Sequence, residues 1–183
     1  MKRKIWIAVP TTLLVLCGGL MFWYNDEPDL FDPLERARLH AEVHQHAEVI
    51  GSATTSTLLE VVSVMLNKRG GYFSNDIMPP WVFLDNVPNW EFGVLTQVRD
   101  LARVMRNDFS RSQTQSAEDP DLSEADPLFH YSNDRWFPPD TEGRYQKAME
   151  YLESYLTRLS DPAQSDAQFY ARADNLGEWF GLV

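Results

Sequence analysis

Residues 5–24, IWIAVPTTLLVLCGGLMFWY, constrain this chain more than any other stretch. Twenty positions carry no charge, and Lys2, Arg3 and Lys4 stand directly before them. A helix rises about 1.5 Å per residue, so twenty residues match roughly the 30 Å hydrocarbon core of a bilayer. Trp6 falls near one boundary and Phe22, Trp23 and Tyr24 at the other, where amphipathic rings prefer the headgroup level. Pro10 lies one turn inside, a position that lipid-embedded helices tolerate. The basic triplet predicts a cytoplasmic tail of residues 1–4, so the chain after Tyr24 is expected outside the cytoplasm. A cleaved signal peptide fits poorly, because its apolar core would end sooner at a small-x-small site. Leu16 is too large to precede a lipoprotein cysteine, and the lone Cys17 reads as a residue of the membrane helix. Gly18-Gly19 lacks GxxxG spacing and leaves homo-oligomer formation open.

Beyond this anchor the composition turns acidic. Three of the sixteen Lys/Arg precede residue 5, so thirteen face twenty-seven Asp/Glu, a formal −14. So negative a domain repels nucleic acid and anionic headgroups, and nucleic acid is not expected as a partner. It has no cysteine, which excludes a disulfide framework and a Cys₂His₂ zinc site. Residues 34–183 suffice for one domain with its own core, and 13% aromatic content favours burial over disorder.

Residues 25–33 form a tether. Asp32-Pro33 supplies an N-cap and a first-turn proline for a helix reaching about Ile50, with Leu34, Ala37, Ala41, Val43, Ala47 and Ile50 on its apolar side. Leu58, Val61, Val62, Met65 and Leu66 recur at helical spacing before Gly70-Gly71, although the β-branched content leaves a strand open. Residues 71–93 hold three prolines and two tryptophans, which predicts an ordered, irregular apolar wrap. Residues 94–109 carry the clearest amphipathic pattern. Residues 110–127, acidic and rich in Ser and Gln, read as a flexible excursion. Tyr145, Met149, Leu152, Tyr155, Leu156 and Leu159 stripe a further helix from Thr141, and Asp161-Pro162 ends it and opens a last one through Phe180. Ser74-Asn75-Asp76 before Pro79-Pro80 is echoed by Ser132-Asn133-Asp134 before Pro138-Pro139, which reads as shared loop composition. The expected fold is all-α: one N-terminal transmembrane helix, then a helical domain with long irregular aromatic, proline-rich loops.

The strings LNKRGGYFSND, PPWVFLDNVPNWEFG, VRDLAR, RNDFSRSQ and AQFYARADNL resemble a family of bacterial inner-membrane proteins known as domain of unknown function 2333. The resemblance implies a single-pass, mostly helical inner-membrane protein of Gram-negative bacteria with its domain in the periplasm. It supplies no catalytic residues. It also implies a further helical half, whereas this chain ends at Val183 inside a helical pattern, and residues 179–183 depart from the family's pattern.

Few residues suggest chemistry. His40 and His44 stand four apart on one helical face that Glu48 continues, a spacing that can hold zinc through two imidazoles and a carboxylate; His46 points elsewhere. Near the aromatic loop, Asp76, Asp85, Glu91, Asp100 and Asp108 offer carboxylates, and Trp81 and Trp90 offer faces for sugar stacking. Asn75, Arg99 and Arg106, with Arg103 and Arg111, add polar groups for a binding surface. Each has a plain structural alternative: turn capping, core filling, or a solvated helix face. No nucleophile arrangement, catalytic residue or cofactor signature is present. The expected function is a non-enzymatic, membrane-anchored periplasmic module, held in the bilayer by residues 5–24, that binds another envelope protein. The alternative is a cell-wall glycan binder or hydrolase using the Trp81/Trp90 loop.

Overall fold

The computed structural model describes residues 2–44, 47–112, 117–137, 140–164 and 166–182, with residues 2–7 and 182 as backbone alone. Its regular elements are seven α-helices: α1 (Lys2–Tyr24), α2 (Pro33–His44), α3 (Ser52–Asn67), α4 (Asn86–Val104), α5 (Pro120–Phe129), α6 (Thr141–Ser160) and α7 (Ala173–Leu182). Among the described residues there is no strand, so the fold is all-α and the strand alternative for residues 54–67 falls away. Also among the described residues, no helix is long and apolar enough to cross a membrane.

α3, α4, α5 and α6 enclose one core. Leu58, Val62 and Met65 of α3 meet Leu95, Val98 and Met105 of the α4 region, Leu122 and Phe129 of α5, and Tyr145, Leu152 and Tyr155 of α6. The buried tyrosines carry polar tips that need partners. Tyr72, Tyr145 and Tyr155 donate to the carbonyls of Asn133, Tyr131 and Gln168 at 3.3, 3.2 and 2.7 Å, which ties the irregular segments to one another and to α6.

Several boundaries differ from the sequence expectation. α4 begins at Asn86, inside the segment expected to be irregular. Pro88 occupies its first turn, where backbone N–H groups lack intrahelical partners and the proline removes nothing. The excursion expected over residues 110–127 is helical from Pro120. Asp119 caps α5 by accepting from the N–H groups of Asp121 and Leu122 at 3.0 and 3.2 Å, and Pro120 takes the first helical position. Residues 113–116 of that stretch lie outside the described residues. The last helix starts at Ala173 and not near Pro162.

α2 ends at His44, short of Ile50, and has no fully buried residue. Ala37 and Ala41 turn toward α3, while Leu34, Leu39 and Val43 remain exposed. Gly51 follows at φ 96°, left-handed backbone that opens α3, and the Phe169 ring fills the space a Cβ would need.

α4 closes in a π turn over Met105–Phe109, where the Ser110 N–H donates to the Met105 carbonyl at 2.9 Å. The last segment of the chain takes up carbonyls of that turn. The Tyr170 N–H donates to Phe109 O at 2.6 Å and the Asn175 amide to Asp108 O at 2.8 Å, while the Phe109 and Phe169 rings stack at 4.8 Å.

A second, smaller cluster lies at the end of α1. Phe73, Leu84 and Val87 are buried there, with Met21, Tyr24 and Trp81 packed against them. Tyr24 meets Phe73 edge-on at 5.7 Å and Trp81 at 6.1 Å. The Arg69 guanidinium lies over the Trp23 ring at 4.7 Å and pairs with Asp26 at 3.5 Å.

Candidate functional site

The chain reverses direction after α3, and that reversal is built around a buried charge. Lys68, the C-cap residue of α3, extends its ammonium to the Glu91 carboxylate on α4. The same ammonium donates to the carbonyls of Met65, at 3.1 Å, and Gly71, and lies 4.7 Å from the centre of the Phe73 ring. Glu91 also accepts from the N–H groups of Phe73 and Ser74 at 2.8 and 2.7 Å and from the Ser74 hydroxyl at 2.6 Å. Burial pushes the Lys68 ammonium below its ordinary pKa, and Glu91 opposes that shift. A carboxylate with four donors and no solvent contact holds a turn in place; it has no lone pair left for proton transfer to a substrate.

Beside it, Asn75 is buried and donates to Glu142 on α6 at 3.1 Å. Asp76 is half-buried. Burial, then Glu142 and Glu91, raise its carboxyl above the ordinary range, and Lys68 opposes them. Asp76 thus stands between the carboxylates of Glu91 and Glu142, with the Lys68 ammonium acting on Asp76 and Glu91 and the Asn75 amide bonded to Glu142. Asp85 stands at the N-cap of α4 without a side-chain capping bond, its carbonyl accepting from the Asn89 N–H at 3.0 Å.

The two tryptophans part company. Trp81 packs on the small cluster against Tyr24, whereas Trp90 packs on the main core beside Val61 and Val94. Phe92 is 55% exposed and anchors neither. A paired sugar platform of Trp81 and Trp90 is thus not assembled.

The arginines of α4 and of the π turn after it are engaged in ties to α5 and its flanks. Arg99 donates to the carbonyls of Phe129 and Tyr131 at 2.8 and 2.9 Å, covering the C-terminal end of α5. Arg106 pairs with Glu118 at 2.7 Å and with Asp126 at 3.1 Å. Arg158 of α6, which the sequence did not flag, does the same at the other end of α5, reaching Asp119 at 2.8 Å and Asp121 at 2.6 Å. The expected surface of Arg99 and Arg106 with the loop carboxylates is not formed as one site.

The histidine face gains a different third member. Glu48 lies past the end of α2 in irregular chain, so it does not continue the His40–His44 face. Glu153 of α6 takes that place: its Oε1 lies 3.2 Å from His40 Nε2, and one ligand atom each of His40, His44 and Glu153 fall within 4.8 Å of one another. The two imidazoles stack at 4.3 Å. His46 lies outside the described residues. No spacing in the sequence could have found Glu153, which is supplied by another helix.

The two Ser-Asn-Asp copies are used differently. Ser74 and Asn75 donate to Glu91 and Glu142, whereas the Asn133 carbonyl receives Tyr72 and the Ser132 carbonyl receives the Thr141 hydroxyl at 3.0 Å.

Comparison with curated proteins and with solved structures gives no match. The family model described as "Uncharacterized protein conserved in bacteria (DUF2333)" matches residues 1–183, and the chain belongs to that family.

Proposed function

We propose that this family member is a membrane-anchored helical module, non-enzymatic, that sits on the outer face of the bacterial inner membrane and binds another protein of the cell envelope. Its chief support is where large apolar side chains are left uncovered. Along α1 they face every direction: Val9, Leu13, Leu14, Val15, Leu16 and Phe22 are all exposed. A helix apolar on all sides suits lipid. The sequence of residues 5–24, uncharged over twenty positions behind Lys2, Arg3 and Lys4, supports reading this segment as a single span, N-terminus inside.

Residues 77–83 continue that apolar surface. Ile77, Met78, Val82 and Phe83 are exposed, and Phe83 and Leu84 border the same hollow as Met21 and Phe22. Side chains level with the last turn of a membrane helix lie at the depth of the headgroups. Leu39 and Val43, one turn apart on α2, form a separate uncovered pair at the start of the domain, and Leu34 is exposed on the opposite side of that helix. An apolar helix face of this kind is the usual mark of a protein contact.

A photoreactive residue at Val43 tests the partner, with Glu150 on the exposed side of α6 as the control position. In intact bacteria Val43 should give one discrete protein adduct that Leu39 reproduces and Glu150 does not. A reporter after Val183 should be active only outside the cytoplasm, and alkaline carbonate should leave the protein in the membrane. Adducts equally strong at Glu150, or a protein washed off by carbonate, would overturn the proposal.

A further inference from the structure

We propose that His40, His44 and Glu153 bind a zinc ion that staples α2 to α6. The three residues come from two helices that otherwise hold each other poorly. α2 has twelve residues and none fully buried. A helix this short is marginal in water without a packed face. α6 is the opposite, with Leu152, Tyr155 and Leu156 buried around Glu153, so the carboxylate stands on a fixed platform.

The geometry suits a tetrahedral ion. With Zn–N near 2.0–2.1 Å and Zn–O near 2.0–2.2 Å, neighbouring ligand atoms in a tetrahedron stand roughly 3.3–3.5 Å apart. His40 Nε2 and Glu153 Oε1 are 3.2 Å apart already. The remaining separations reach at most 4.8 Å, and His44, on the exposed side of α2, can close that gap by rotating its side chain. Histidines at i and i+4 share one helix face; here the imidazoles stack at 4.3 Å, and turning the His44 ring brings its nitrogen lone pair toward the point between His40 and Glu153. Two imidazoles and one carboxylate form a borderline donor set that favours zinc over the hard cations magnesium and calcium, which want oxygen cages. Three protein ligands leave the fourth position to water.

The test is thermal unfolding of the full chain in detergent micelles while zinc chloride is added. A ligand that binds only the folded state raises Tm; at a hundredfold excess over Kd the rise should be about 5–10 °C for a chain of this size. Chelator should reverse it, and magnesium should not reproduce it. Glu153→Gln and His44→Ala should each abolish the rise, while Glu48→Gln should keep it. The proposal is overturned if wild type shows no shift with zinc at millimolar concentration, or if the shift survives in Glu153→Gln. It is equally overturned if Glu48→Gln removes the shift while Glu153→Gln does not, since the ion would then be held within α2 and its C-terminal extension.

Discussion

The Lys68 ammonium and the Glu91 carboxylate form an ion pair sealed from water, with side-chain exposures of 4% and 0%. Breaking a buried pair from one side leaves an uncompensated charge, which costs about 3–5 kcal/mol. Lys68→Met and Glu91→Leu should each lose stability on that scale in urea unfolding. The double variant should lose less than the two together, because neither charge is then stranded. Additive losses would show that the two residues act independently.

Asp76 gives a pH signature. Its folded pKa lies above the ordinary 3.8, so between 3.8 and that raised value the folded chain binds more protons than the unfolded one. Its contribution is therefore fully present below 3.8 and is lost as pH rises through the folded pKa. Asp76→Asn should remove this fall, so the stability difference between variant and wild type should grow in the variant's favour from acid toward neutral pH. A difference independent of pH would show that Asp76 titrates normally.

Trp90 and Phe92 are two residues apart and should behave oppositely. Trp90 is half-buried against the core, so Trp90→Ala should cost about 2–3 kcal/mol, below the 3–5 of fully buried aromatic truncations. Phe92 is mostly exposed, and Phe92→Ala should stay within about 0.5 kcal/mol. Chemical denaturation of both variants checks this, and equal losses would contradict the placement of Phe92.

The loop beside α1 can be located by lipid quenching. In a Cys17→Ser background, an NBD fluorophore on Phe83→Cys should be quenched by shallow spin-labelled lipids nearly as well as one on Phe22→Cys, and far better than one on Glu150→Cys. Quenching at Phe22 without quenching at Phe83 would keep the anchor and reject the seated loop. No quenching at either position would reject both.

Where apolar residues repeat within one element, the sequence is enough to place it. Leu58 to Leu66 and Tyr145 to Leu156 mark the buried faces of α3 and α6. α5 escaped notice because its surroundings are Ser, Gln and acid, and only the Asp119-Pro120 pair announces it. Pro88 argued for a loop, yet it stands in the one turn of a helix that accepts it. The sites were harder still. Lys68 and Glu91 are 23 positions apart and Glu153 lies 113 from His40, so each pairing depends on how helices meet. Spacing along one helix had offered Glu48, but α2 stops before reaching it.

The π turn over Met105–Phe109 has a consequence for how the two ends of the domain are joined. One extra residue in a turn rotates everything after it by about 100° around the axis. That rotation brings Phe109 against Phe169 and offers Asp108 and Phe109 to Asn175 and Tyr170. The turn thus serves both sides at once: Met105 and Phe109 stay in the main core while the carbonyls of Asp108 and Phe109 meet the chain's last stretch. Deleting the exposed Asn107 would remove that rotation, swing the buried Phe109 away from Phe169, and take the Asp108 and Phe109 carbonyls out of reach of Asn175 and Tyr170.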